Sequence, residues 1–314
     1  MAKPFNAITV VGAGAVGSFY GALLARAGYR VTLIGRPAHV AAIQTTGLRL
    51  EMAGAVQTVP VQASAELKSV QGADLVLFCV KSTDTDAVAR DMAPWLAQEA
   101  VVLSLQNGVE NASTIARHVP NSVVPAVVYV ATAMPEPGLV KHFGRGELVI
   151  GALDPTPAQA SEVVNRLRAL VELFASAGIA VTCSEDVRTE LWSKLMVNCA
   201  YNALSALGRA HYARIASLPE VRTLQQSIVQ EVVAVAAAEG VALPLQASLD
   251  AVDRIAQTMA GQHSSTAQDM ARSKPSEIDH LNGFIARRGR ELGIPTPINR
   301  TLHALVKLVE AGYG

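Results

Sequence analysis

The chain opens with an apolar run, Ala7 to Val11, rich in β-branched residues, that reads as a buried strand. A glycine-rich turn follows. Apolar residues at helical spacing then cover Ser18 to Ala27, and Gly28 is placed to end that helix. Tyr29 to Ile34 is the next strand. The alternation continues, with strands expected at Leu48 to Met52, Val59 to Val61, Leu75 to Val80, Val101 to Ser104 and Val123 to Val130. Helices are expected near Ala38 to Gln44, Thr85 to Leu96 and Asn111 to Arg117. Strands separated by helices predict a mostly parallel, doubly wound α/β sheet covered on both faces. Further strands are expected at Leu139 to His142 and Leu148 to Ile150, a turn at Pro155 and Pro157, a helix from Ala158 to Ala177, and a short strand at Val181 and Thr182.

After Cys183 the pattern changes. Ser184 is placed to cap a helix with Glu185 and Asp186 in its first turn, where the helix dipole favours negative charge. From there helices and almost no strand are predicted, with breaks at Gly208, Pro219, Gly240 with Pro244, Lys274 with Pro275, and the segment "GIPTP" at 293–297. Two domains are therefore expected, an α/β domain over residues 1–183 and an all-α domain over 184–314.

Composition narrows the classes of function. The 314 residues carry 26 Lys and Arg against 26 Asp and Glu, so no net field draws nucleic acid or an anionic membrane. The three cysteines, Cys79, Cys183 and Cys199, have no paired spacing, which argues against a disulfide framework and against a metal site. A reducing cytoplasm fits best. The uncharged stretch from Pro4 to Ala25 superficially resembles a signal peptide or a short membrane span. Its four glycines and its change from strand-like to helix-like pattern speak against both, and no membrane partner is expected.

The motifs carry the chemistry. "GAGAVG" places Gly12, Gly14 and Gly17 in G-x-G-x-x-G spacing, after a strand and at the start of a helix. In that context the motif predicts a Rossmann-type dinucleotide site, with Gly12, Ala13, Gly14, Ala15, Val16 and Gly17 against the pyrophosphate. Gly12 suits a tight turn, Gly14 a close backbone approach, and Gly17 close packing of helix on strand. At the end of the second strand, where an NAD site usually has an acid, the chain reads "LIGRP". Arg36 can pair with a 2′-phosphate, so NADPH is the expected cofactor, the alternative being a solvated surface arginine. Lys81 ends one strand and Asn107 lies just beyond another, in "LSLQNGVEN", where ligands of open parallel sheets bind. Asn107-Gly108 is equally a strong turn pair.

In "ELWSKLMVNCAYN" an ammonium and two amides, Lys194, Asn198 and Asn202, recur every fourth residue along an otherwise apolar helix. Such a row faces solvent or lines a polar cleft, since a buried unpaired ammonium is expensive. A lysine can protonate an alkoxide, and amides can hold a carbonyl or hydroxyl. In "SSTAQDMARSKPSEIDHLNG", Ser265 and Gln268 have capping-box spacing and Ser276 can cap the next helix. Capping leaves Glu277, Asp279 and the pair Asn282-Gly283, expected in mid-helix, unaccounted for.

Taken in order, "GAGAVG", "GRP", "VKS", "QNGVEN", "ELWSKLMVNCAYN", "SSTAQDM" and "SEIDHLNG" resemble the ketopantoate reductase family, the 2-dehydropantoate 2-reductases. The resemblance implies a Rossmann domain, a helical domain, and reduction of the 2-keto acid ketopantoate to pantoate by NADPH. It further implies Lys194 as general acid, Asn198 and Asn202 orienting the substrate's oxygens, and Ser265 on its carboxylate. Glu277 would meet the hydroxyl end or the lysine and approach the cofactor. Asn107 and Lys81 would contact cofactor and substrate. Some members have a further substrate-binding Asn shortly after the second helix amide. Here the neighbourhood reads "GRAHYAR", with His211 or Tyr212 nearest. Other readings are a reductase of another branched 2-keto acid, an opine-type dehydrogenase, and, outside enzymes, an NADP-binding sensor. A homodimer is compatible with all of these.

Overall fold

Alternate residues of the central strands feed two separate cores in the computed structural model, which describes residues 5–153 and 160–313. Ile8, Val10, Leu75, Leu77 and Leu103 pack into one, and Val11, Val76, Phe78 and Val102 into the other. Opposite faces of a pleated strand are thus both buried, as a doubly wound sheet requires. The chain divides into two units, Met1–Val187 and Arg188–Gly314.

The first unit runs β1 (Ala7–Val11), α1 (Ala15–Arg26), β2 (Arg30–Ile34), α2 (Pro37–Thr46), β3 (Leu48–Met52), β4 (Ala55–Val59), β5 (Gln62–Ser64), β6 (Leu75–Phe78), α3 (Thr85–Met92), β7 (Val101–Ser104), α4 (Asn111–Ala116), β8 (Val123–Glu136), β9 (Leu139–Ile150), α5 (Ala160–Ser176) and β10 (Val181–Cys183). Strands β5-β2-β1-β6-β7-β8 lie side by side and parallel. That is the strand order of the Rossmann fold, with its switch point between β1 and β6.

Beyond β8 the sheet departs from the expected parallel pattern. β9 pairs antiparallel with β8 and parallel with β3, and β3 pairs antiparallel with β4. The strand expected at Val59 to Val61 is therefore corrected to β4, joined to β3 by a turn in which Ala53 and Gly54 have φ of 49° and 81°. Four of its five residues are exposed, so no buried face marked it in the sequence. The two strands expected at Leu139 to His142 and Leu148 to Ile150 are one strand. "FGRG" between them forms a bulge, with Arg145 at φ 60° between two glycines, and the pairing with β8 shifts register to absorb it. The expected turn at Pro155 and Pro157 and the start of a helix at Ala158 lie outside the described residues.

The second unit is helical: α6 (Val187–Gly208), α7 (Tyr212–Ala216), α8 (Pro219–Ala238), α9 (Leu245–Thr258), α10 (Ser265–Met270), α11 (Asn282–Leu292) and α12 (Pro297–Glu310). Proline occupies the first position of α8 and α12, where its missing N–H costs nothing. Helix α6 starts at Val187, later than Ser184 suggested. The Ser184 hydroxyl instead accepts from the Asp186 N–H at 3.1 Å, a local turn that precedes the helix. Three ties hold α6 among its neighbours: Gln225 of α8 donates to the Ala200 carbonyl, the Tyr201 hydroxyl donates to the Val252 carbonyl of α9, and Asn282 of α11 donates to the Cys199 carbonyl. The uncharged N-terminal run is divided between β1 and α1. Among the described residues, no helix is long and apolar enough to cross a membrane.

Candidate active site

The glycine turn joins β1 to α1 with each glycine needed for a different reason. Gly12 has φ 101°, and a Cβ there would sit 2.5 Å from the Val80 nitrogen. Gly17 packs so closely that a Cβ would lie 2.4 Å from the Gly12 carbonyl oxygen and 2.7 Å from Val10 Cγ1. At Gly14 nothing lies within 4 Å of that position, so this side of the turn is open to an approaching ligand. Gly14 caps α1 without a side chain, and the first turn holds no acid. The N–H groups of Ala15, Val16 and Gly17 therefore have no partner in the helix and point where an anion is favoured.

Arg36 is exposed immediately beyond β2. Gly35 before it abuts the glycine turn, since a Cβ there would approach Ala13 Cβ to 2.9 Å. Behind Arg36, the buried His39 accepts from the Gly138 N–H at 2.9 Å through Nδ1 and meets the Ser18 hydroxyl at 3.3 Å through Nε2. An Nδ1 that accepts leaves Nε2 to donate, so the ring is neutral, and burial lowers its pKa in agreement.

Lys81 and Asn107 lie beyond the ends of the adjacent strands β6 and β7, both half-buried. The loops that carry them are joined by a buried polar network. Gln106 donates to the Val80 carbonyl at 3.0 Å and to the Thr85 hydroxyl at 2.8 Å, and accepts from Ser104 at 3.0 Å. Asn111 donates to the Ser82 hydroxyl and to the Asn107 carbonyl, and accepts from Thr85. Asn107-Gly108 forms a turn, with φ 95° at Gly108, and the turn is held through the Asn107 carbonyl. Cys79, beside Gly17, is half-buried, and desolvation pushes its thiol pKa up.

In the second unit Lys194, Asn198 and Asn202 share one face of α6. Lys194 and Asn198 are half-buried and Asn202 is buried. Around them Leu191, Trp192, Leu195, Met196, Cys199 and Ala200 are all core residues. The Ser264 hydroxyl donates to the Asn202 carbonyl at 3.1 Å, an attachment that does not involve the Asn202 amide group. Ser264, not Ser265, caps α10, accepting from the Ala267 N–H at 3.0 Å. The capping-box assignment to Ser265 is corrected, because tertiary contact with α6 selects the buried serine. Ser265 is the first residue of α10 and is exposed.

Glu277 is half-buried at the start of a short 3-10 turn, Ile278–His280. Asn282 and Gly283 begin α11 instead of interrupting a helix. A Cβ at Gly283 would lie 2.8 Å from His303 Cδ2, which accounts for the glycine. Asp279 binds His303 at 2.6 Å and Lys307 at 2.9 Å, and these partners hold its carboxyl far below the usual range. It is a structural anchor. Tyr212 is buried at 4.6 Å from the Tyr201 ring, and His211 caps α7. Sequence reasoning missed the roles of Gln106, Asn111 and Asn282. A glutamine directly before an Asn-Gly turn at a strand end was the available signal.

The first cluster suits a dinucleotide, with free N–H donors, an open glycine face and an arginine at the second strand end. The second unit holds an ammonium and two amides in one row of α6, and a carboxylate on the segment before α11. Among the described residues no group of three His, Cys, Asp or Glu could hold a metal ion.

Residues 8–155 match the family described as ketopantoate reductase PanE/ApbA, and residues 186–310 match the C-terminal part of the same family. The chain is 32% identical to a 2-dehydropantoate 2-reductase of Halobacterium salinarum, over 96% of this chain and 98% of that protein. It is 54% identical to a PanE/ApbA family ketopantoate reductase of Ralstonia eutropha JMP134, whose structure matches with a TM-score of 0.89 over 98% of this chain and 99% of that one. A D-mandelate dehydrogenase solved with NADH and anilino(oxo)acetate also matches at a TM-score of 0.89, with 25% identity over 98% of this chain and 99% of that chain. Matched from the first strand to the last helix, in order and end to end with its relatives, the chain belongs to the ketopantoate reductase family of oxidoreductases.

Proposed function

We propose that the protein reduces 2-dehydropantoate (ketopantoate) to pantoate with NADPH, a step toward pantothenate and coenzyme A in the cytoplasm. The observation that carries the reading is the row Lys194, Asn198 and Asn202 on an otherwise apolar α6, in a chain whose relatives are named 2-dehydropantoate 2-reductases. When bound, the nicotinamide supplies the hydride to the 2-keto carbon. The protein's residues do the rest. The N–H groups of the Gly12 to Gly17 turn hold the pyrophosphate, and Arg36 pairs with the 2′-phosphate. Lys81 and Asn107 position cofactor and substrate from the ends of β6 and β7.

As the carbonyl carbon gains its hydrogen, negative charge develops on the oxygen. The Lys194 ammonium donates a proton to that oxygen, giving the alcohol. Asn198 and Asn202 orient the substrate's oxygens, Ser265 binds its carboxylate, and Glu277 meets the hydroxyl end. A carboxylate near Lys194 favours the charged lysine against the desolvation that would otherwise lower its pKa. Orientation and a preplaced proton donor are the protein's contribution, and the hydride chemistry belongs to the cofactor.

A second reading, reduction of a different 2-keto acid, is favoured by one observation. Tyr212 and His211 stand where some members of the family have a substrate-binding Asn, and Tyr212 is turned into the core. NADPH oxidation measured with 2-dehydropantoate, benzoylformate, and pyruvate plus an amino acid separates the readings. The highest kcat/KM is expected for 2-dehydropantoate. A higher value for another 2-keto acid moves the assignment to that substrate. NADPH binding with no turnover of any of them would leave a sensor and end the enzymatic reading.

A further inference from the structure

We infer that Asn282 is a positioning residue for this reaction: it sets the register between the helix that carries Lys194 and the turn that carries Glu277. The inference rests on the function proposed above, in which those two side chains act together.

Asn282 is fully buried at the first position of α11. Its amide gives one hydrogen to the Cys199 carbonyl of α6 at 3.1 Å and the other to Asn299 Oδ1 of α12 at 2.9 Å. Asn299, also fully buried, donates in turn to Glu231 of α8 at 2.7 Å, and that carboxylate accepts the Ile298 and Asn299 N–H groups. A line of hydrogen bonds thus crosses the helical interior from α8 through α12 and α11. It ends on the α6 carbonyl next to Asn198.

The same two elements also meet through an apolar contact. Trp192 of α6 lies edge-on to Phe284 of α11, with ring centroids 5.6 Å apart. An apolar contact holds two elements together but is non-directional and tolerates a small slide. A hydrogen bond to one particular carbonyl does not, because it weakens steeply with distance and angle. Register between α6 and α11 is therefore set by the amide and not by the aromatic pair.

Glu277 is carried on a segment tied down on both sides. The Ser276 N–H and hydroxyl donate to Glu310 of α12 at 2.8 and 2.5 Å, and Asp279 binds His303 and Lys307 of the same helix. With its flanks fixed on α12 and its far end fixed on α6 by Asn282, the segment is a rigid mount for one carboxylate. The arrangement also has a cost. Among the described residues Asn282 Oδ1 is buried without a hydrogen-bond partner. A buried acceptor left unpaired is destabilising, and an apolar replacement would only shift the penalty, since Asn299 Oδ1 would lose its donor. Asn282 thus keeps one acceptor unpaired while its amide makes two directional bonds, a local mismatch of the kind found at residues that serve a site.

Asn282→Leu tests this. The variant should remain folded by circular dichroism and bind NADPH with a Kd within about threefold of the parent, while kcat for the 2-keto acid falls roughly tenfold or more. In the Lys194→Ala background the same replacement should change the residual rate by less than about twofold, because the geometry it disturbs no longer serves a proton donor. Equal losses in both backgrounds, or an unchanged kcat, would overturn the inference. Should Asn282→Leu not fold, Asn282→Ser is read against the same outcomes. A chain that folds with neither makes Asn282 a determinant of the fold, which also overturns it. Inactivity of the unmutated protein toward every 2-keto acid would instead strike the proposed function, and the two failures are distinguishable.

Discussion

In the unit Met1–Val187 the candidate groups stand on loops beyond strand ends, whereas in Arg188–Gly314 three of them stand on one helix. A helix holds its own side chains in a row, because its hydrogen bonds are internal and residues four apart share a face. What it lacks is register with its neighbours, and side-chain bonds to the α6 carbonyls of Cys199 and Ala200 supply that. A loop has no such internal support. Its backbone must be held by side chains, and Ser82, Thr85, Ser104, Gln106 and Asn111 do this behind Lys81 and Asn107. The comparison teaches that buried polar residues behind the candidate groups serve different ends in the two units. They shape a backbone in one unit and align finished helices in the other.

The contrast can be broken most forcefully at Lys194. If the helix merely displays a proton donor, Lys194→Ala should cut kcat by about 10²- to 10⁴-fold, the usual range for a general acid, and leave NADPH affinity nearly intact. A loss confined to KM would make Lys194 a binding group and remove the helix row from the chemistry.

The loop side is tested at Gln106. Gln106→Met leaves the Val80 carbonyl and Ser104 hydroxyl without their partner. Unfolding by urea should show a loss of roughly 1–3 kcal/mol, the cost of buried polar groups left unpaired. NADPH should bind more weakly as well. Unchanged NADPH affinity would show that the loops hold themselves.

Arg36 sharpens the comparison differently, since it is exposed and its proposed role lies in binding the cofactor. Arg36→Ala should weaken NADPH by about ten- to a hundredfold, consistent with roughly 1.5–3 kcal/mol for a charged hydrogen bond, while NADH binding barely changes. Equal losses for both nucleotides would remove the arginine from cofactor choice.

The smallest effect belongs to His39. Its pKa is lowered by burial in the folded protein, so the unfolded chain, with an ordinary histidine, binds more protons as pH falls. The stability this group contributes is fully present above about pH 6.5 and is lost as pH falls below that value toward the folded pKa. The unfolding free energy from urea titrations between neutral and mildly acid pH should fall by no more than about 1.4 kcal/mol per pH unit on this account. His39→Gln should flatten that slope, and an unaltered slope would place the titration elsewhere.

The local signals were legible from the chain alone. Gly12 and Gly17 announced the tight turn between β1 and α1, because glycine alone suits φ 101° at Gly12 and the close packing at Gly17. Lys194, Asn198 and Asn202 announced a polar row through spacing alone. Each of these depends on a period or a backbone angle that a few neighbouring residues dictate.

The features misread in sequence depend on partners outside the segment itself. β4 exists because β3 pairs with it, and its exposed face left no alternation to read. β9 runs through "FGRG" because β8 absorbs the bulge. Ser264 became the α10 cap because the Asn202 carbonyl lay beside it, 62 residues away. Asn282 and Gly283, apparent faults in a helix, fit Asn299, Cys199 and His303. Periodicity and backbone sterics are short-ranged and written in consecutive residues. A hydrogen bond or a close contact needs two groups brought together, and the folded chain decides which two.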